Sequence, residues 1–109
     1  MRDDIVIAYI PCPTVEEARG IGHRLVEERL AACASIRAHE AIYRWHGLIE
    51  TGTEHAILAK TTRAMFPRLR ERVLALHSYS LPCILALPVV DGNAAFLDWV
   101  AAETGATPA

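Results

Sequence analysis

Residues Ile5-Val6-Ile7-Ala8-Tyr9-Ile10 form a short, largely β-branched run without a charged side chain. Such a run reads as a strand buried on both faces, so the chain must build a sheet around it and cover both sides. Pro11-Cys12-Pro13 closes the run, because neither proline can extend a hydrogen-bonded ladder. Thr14-Val15-Glu16-Glu17 follows as a capping box, with Thr14 as the cap and Glu17 reaching back. Ala18, Ile21, Gly22, Leu25, Val26 and Leu30 then recur at helical spacing, with Arg19, His23, Arg24, Glu27 and Glu28 opposite. This pattern predicts an amphipathic helix of about 17 residues.

Cys33 to Trp45 reads as one long extended segment and Leu48 to Thr61 as a second, loosened near Thr51-Gly52-Thr53. His46-Gly47 joins them as a hairpin turn, glycine supplying the positive φ such turns demand. The hairpin is longer than the first strand, so its tip is expected to overhang the body. Thr61 or Thr62 can cap the next helix, with Pro67 in its first turn and Phe66, Leu69, Val73 and Leu76 on its inner face. That helix should stop near His77 to Pro82. Cys83 to Val89 is the fourth expected strand. Asn93 caps a last helix, with Phe96, Trp99 and Val100 expected inward and Gly105 and Pro108 ending it.

The order is βαββαβ with an extra C-terminal helix, which is an α+β, ferredoxin-like sandwich. Right-handed crossovers give an antiparallel sheet of order 4-1-3-2 with both main helices on one face. A chain of 109 residues has room for one such domain, spanning 1–109. The apolar fraction is 52%, high for so small a sphere, so the bare sheet face is expected to be covered by sister subunits.

The net charge of −2 lacks the basic excess of a nucleic-acid-binding surface. No apolar run approaches the roughly 18 residues a membrane span needs, and the acidic Met1-Arg2-Asp3-Asp4 start is unlike a signal peptide. A cytoplasmic protein is therefore expected. Three cysteines without a C-x-x-C spacing signal neither a structural zinc site nor a redox pair. Phosphate-loop, dinucleotide, nucleophile-elbow and zincin motifs are absent, and the carboxylates suggest no acid/base pair. No enzymatic activity is expected. An acylphosphatase-like enzyme would need an anion-cradling loop after the first strand, where Pro11-Cys12-Pro13 lacks two N–H donors.

The topology brings Cys12, Cys83 and His77 to one end of the sheet. Thiolate and imidazole suit soft and borderline cations such as copper and zinc. The alternative is that Cys83 packs in the sheet and His77 caps its helix. At the opposite end Cys33 neighbours Lys60, which either activates the thiol or is simply solvated. Tyr43 and Trp45 share one hairpin face, as core residues or as interface or ligand anchors.

Several segments together resemble the CutA divalent-cation tolerance family. They are Leu30-Ala31-Ala32-Cys33, Tyr43-Arg44-Trp45-His46-Gly47 with Ile49, Glu54 and Lys60-Thr61, His77-Ser78-Tyr79 with Pro82, Leu87-Pro88-Val89, and Phe96-Leu97-Asp98-Trp99. The resemblance implies a homotrimer that binds divalent cations, copper chiefly, in metal tolerance or signalling. It implies cleft residues at Cys33, Trp45, Lys60, His77 and Tyr79. Family trimers look like those of PII signalling proteins, so a small-molecule or partner-binding scaffold with incidental metal binding is the alternative. Three positions depart from the family pattern: Ser35 for a common Asn, Pro11 for a common Thr, and Cys83 for a common acidic residue. The last exchanges a hard oxygen for a soft sulfur, which favours Cu(I) or zinc over magnesium or calcium.

Overall fold

The structure, a computed structural model, describes residues 2–105. The apolar Ile5–Ile10 run lies at the heart of a four-stranded sheet. The elements are β1 (Ile5–Cys12), α1 (Val15–Glu27), β2 (Cys33–Trp45), β3 (Leu48–Thr62), α2 (Phe66–Leu76), β4 (Leu85–Pro88) and α3 (Ala94–Glu103). The sheet order is β2-β3-β1-β4 with every pair antiparallel, which is the expected 4-1-3-2 order read from the other edge. Helices α1 and α2 cover one face. There Ala18, Ile21, Leu25, Leu69 and Val73 pack on Ala8, Ile10, Cys12, Ile57 and Ala59.

β1 does not stop at the prolines but runs on through Pro11 to Cys12, paired with Ala56 and His55. Its pairing with β4 ends at Tyr9↔Leu85, so Pro11 lies where β1 is bonded to β3 alone, and its missing N–H leaves the β3 ladder intact. The same proline shortens β4. Continuing the register would set Cys83 opposite Pro11, which cannot donate, and the strand spans Leu85–Pro88 rather than Cys83–Val89.

Thr14 caps α1, its hydroxyl accepting from Glu17 N at 3.1 Å. The carboxylate of Glu17 does not close the expected box; it accepts from Ser78 N at 3.0 Å. Helix α1 is also shorter than expected, at 13 residues. Arg29 takes a left-handed φ of 59°, and Leu30 N and Ala31 N both donate back to Leu25 O. That closure ends the helix without the glycine that usually marks it.

β2 and β3 pair without interruption from Cys33↔Lys60 to Trp45↔Leu48, so Gly52 loosens nothing. The turn has φ of 50° at His46 and 80° at Gly47. β1 ends opposite His55, and the hairpin beyond that point projects as an arm carrying exposed Ile42, Leu48 and Ile49.

Thr62 caps the entry to α2 by accepting from Met65 N at 3.2 Å. Asn93 caps α3 through Ala95 N. Leu97 and Val100 of α3 pack on Ile5 and Ala32, covering one end of the second sheet face. Phe96 and Trp99, expected inward, are 43% and 42% exposed and pack against each other at 5.6 Å. Val100 alone of that expected trio is buried. Pro108, expected to close this helix, lies outside the described residues.

Candidate functional site

Three potential ligands meet where β1 hands over to α1. Cys12 ends the strand, Glu17 sits in the first turn of α1, and His77 caps the C-terminus of α2. One ligand atom from each lies within 4.8 Å of the other two. Imidazole Nε2 of His77 donates to Pro11 O at 2.8 Å, and Nδ1 accepts from Tyr79 N at 3.1 Å. These two contacts select the neutral tautomer with its proton on Nε2. The ring itself is fully buried, with Glu17 Oε2 3.5 Å from Nδ1.

Burial, and then the nearby carboxylates of Glu17 and Glu54, push the Cys12 thiol up to about 12. Cys12 is therefore a neutral thiol at physiological pH, and a cation that takes its sulfur must displace the proton. A cation that takes the imidazole must likewise displace Tyr79 N from Nδ1; the resulting donor set of sulfur, nitrogen and carboxylate oxygen suits a borderline or soft cation such as copper or zinc. Of the expected metal residues, Cys12 and His77 come together here. Cys83 stays outside this group, exposed on the rim of a neighbouring cleft.

That cleft, about 660 Å³, lies on the second face of the sheet between the hairpin arm and the Tyr79–Cys83 segment. Its polar centre is Glu54. Tyr79 Oη donates to Glu54 Oε2 at 3.0 Å, and His39 Nε2 lies 3.4 Å from Oε1. Tyr9 stacks on His39 at 6.3 Å. Burial and the Glu54 carboxylate push the Tyr79 phenol up to about 12. The same two causes raise the Cys83 thiol. Tyr9 is raised by burial first, then by Cys83 and Glu54. Burial first, and the half-buried Glu54 carboxylate after it, thus favour the neutral forms of Tyr79, Cys83 and Tyr9.

Tyr43, Trp45 and Tyr79 all line this cleft. Cys33 and Lys60 do not; they face each other across β2 and β3 at the far end of the sheet. There Lys60 Nζ donates to Ser35 Oγ at 2.8 Å. His39 and Glu54 were missed in the sequence as a pair. The signal was present, because a two-residue turn at His46-Gly47 sets the register and pairs residue 39 with residue 54.

Fold and sites together define a small ferredoxin-like α+β protein with a half-buried Cys12–Glu17–His77 cluster and an aromatic cleft. The chain belongs to the CutA1 divalent ion tolerance protein family, whose sequence model matches residues 6–103. It is 48% identical over 100 residues to the divalent-cation tolerance protein CutA of Thermus thermophilus, covering 91% of this chain and 97% of that one. A solved structure of the divalent cation tolerance protein from Thermus thermophilus superposes with a TM-score of 0.89 at 47% identity, over 93% of this chain and 99% of that chain. The Archaeoglobus fulgidus structure, described as a periplasmic divalent cation tolerance protein CutA, has a TM-score of 0.89 at 41% identity, covering 91% and 97% of the two chains.

Proposed function

We propose that the protein binds a divalent metal cation, copper ahead of zinc, in metal-ion tolerance or signalling, as a homotrimer and without catalysing a reaction. Membership of a divalent-cation tolerance family supports the role. The observation that carries the binding reading is the convergence of Cys12, Glu17 and His77 within 4.8 Å. Cys83, on the adjoining rim, is the further soft donor in the proposed set. Assembly is supported by the apolar side chains left open on the single chain, among them Ile42, Ile49, Leu85, Phe96 and Trp99. Cytoplasmic residence is supported by the three free cysteines, although the Archaeoglobus neighbour is described as periplasmic. Fractionation of the source cells decides that point.

Native mass spectrometry of the reduced protein, with and without copper and zinc, tests both assembly and load. The expected result is a trimer with an integral metal count per chain that falls in Cys12→Ala and His77→Ala variants. A monomer overturns the assembly. Graded loading that those variants leave unchanged overturns the site.

A further inference from the structure

We propose that a cation entering the Cys12–Glu17–His77 group unlatches the backbone between α2 and β4, so that metal occupancy is read out as release of residues 78–84. The proposal rests on the metal reading and gives that site its regulation. Residues 77–84, all among the described residues, lie in no helix or strand. Among the described residues, the backbone N–H groups of 78–84 make two hydrogen bonds within the chain, and both end on prospective ligands. Ser78 N donates to Glu17 Oε2 at 3.0 Å, and Tyr79 N donates to His77 Nδ1 at 3.1 Å. A further tie comes from a side chain, Tyr79 Oη donating to Glu54 Oε2 at 3.0 Å.

A cation and the Tyr79 amide exclude each other at Nδ1. A neutral imidazole has one unprotonated nitrogen, with a single lone pair in the ring plane. Nε2 spends its proton on Pro11 O at 2.8 Å, so Nδ1 is the atom left for a cation, and Tyr79 N already holds it. Glu17 is less exclusive. Its carboxylate has several lone-pair sites and can keep Ser78 N while it ligates, but a cation draws charge away from that bond. The imidazole ring is fully buried and tied to β1, whereas residues 78–84 have no ladder to keep them in place. The stretch therefore gives way and the ring stays. Linkage makes the coupling reciprocal: whatever steadies the latched stretch weakens cation binding by the same factor.

Amide exchange of the reduced full chain, followed by NMR with and without saturating zinc, tests this. Zinc is diamagnetic, whereas copper(II) would broaden the signals, and native mass spectrometry of the same samples counts the bound zinc. The Tyr79 amide should exchange at least about tenfold faster with zinc bound, while the Ala8 and Ile10 amides of β1 do not accelerate. Tyr79→Phe keeps both backbone bonds and removes the tie to Glu54, so it should bind zinc at least about threefold more tightly than the parent chain. Zinc bound with the Tyr79 amide as slow as in the zinc-free chain overturns the unlatching and leaves the metal reading standing. So does a folded Tyr79→Phe chain whose zinc affinity is unchanged. A parent chain that retains no zinc overturns the metal reading, and the unlatching with it.

Discussion

His77 Nε2 donates to the carbonyl of Pro11 at 2.8 Å across 66 residues of chain. The bond ties the end of α2 to the end of β1, and its ring is buried against both. On its other side Nδ1 holds Tyr79 N, so one imidazole fixes where the Tyr79–Cys83 segment leaves the helix. That segment forms a wall of the aromatic cleft. The ligand group and the cleft are therefore joined through one residue.

Truncating this ring should be costly. His77→Ala leaves Pro11 O without a partner in a buried place and Tyr79 N in a half-buried one, and should destabilise the fold by about 2–4 kcal/mol. Urea denaturation of the metal-free protein measures it. A loss within about 0.5 kcal/mol would mean that water replaces the ring at both contacts.

Glu17 separates a ligand role from a structural one. Its Oε2 accepts from Ser78 N, and a glutamine oxygen can do the same. Glu17→Gln should therefore melt close to the parent protein. It removes a negative donor from the Cys12–His77 group, so copper affinity should fall about tenfold or more. Competition against a chelator of known affinity measures this, and an unchanged affinity removes Glu17 from the ligand set.

Legibility in the sequence follows the range of the forces involved. The His46-Gly47 turn is local, and a two-residue turn sets every pair of the hairpin, His39 with Glu54 included. The Thr14 and Asn93 caps are equally local. Glu17 meeting Ser78 is not, because 61 residues separate them and the capping-box pattern suggests a nearer partner. The end of α1 carries no glycine to announce it, only Arg29 forced left-handed. The orientation of α3 depends on which of adjacent apolar residues docks on Ile5. Leu97 wins that place and leaves Phe96 outside. Cys83 is legible as a thiol near β1, but its place in the cleft rim depends on Pro11 ending the β4 pairing.

Alkaline pH should unfold this protein partly through Cys12. Its thiol proton leaves the unfolded chain near the ordinary value of 9.0 and the folded chain only at about 12. The folded state thus binds more protons in that window, and stability falls as pH rises through it. Below pH 9 the thiol is protonated in both states and contributes no slope. Tyr79, raised from 10.0 to about 12, adds a slope of the same sign in the upper part of the window. Denaturation series from about pH 8 to 11 should show a shallower decline in Cys12→Ala than in the parent chain. Parallel declines would mean that the thiol is not held neutral by the fold.

Trp45 tests the proposed assembly most directly. On the single chain its side chain is 41% exposed near the hairpin turn, contacting the His46 ring edge-on at 4.8 Å. An indole so placed contributes little to the fold of one isolated subunit. Against a sister subunit the same ring becomes a buried anchor, and its removal should cost about 3–5 kcal/mol by analogy with cores and interface hot spots. Trp45→Ala should then lower the melting temperature and shift sedimentation towards smaller species at low protein concentration. Restoring the trimer by raising concentration would assign the loss to association, because only an association equilibrium depends on concentration in that way. A Trp45→Ala protein that melts and sediments like its parent would mean that the arm stays in solvent, and the subunit contact would have to be sought at Phe96 and Trp99.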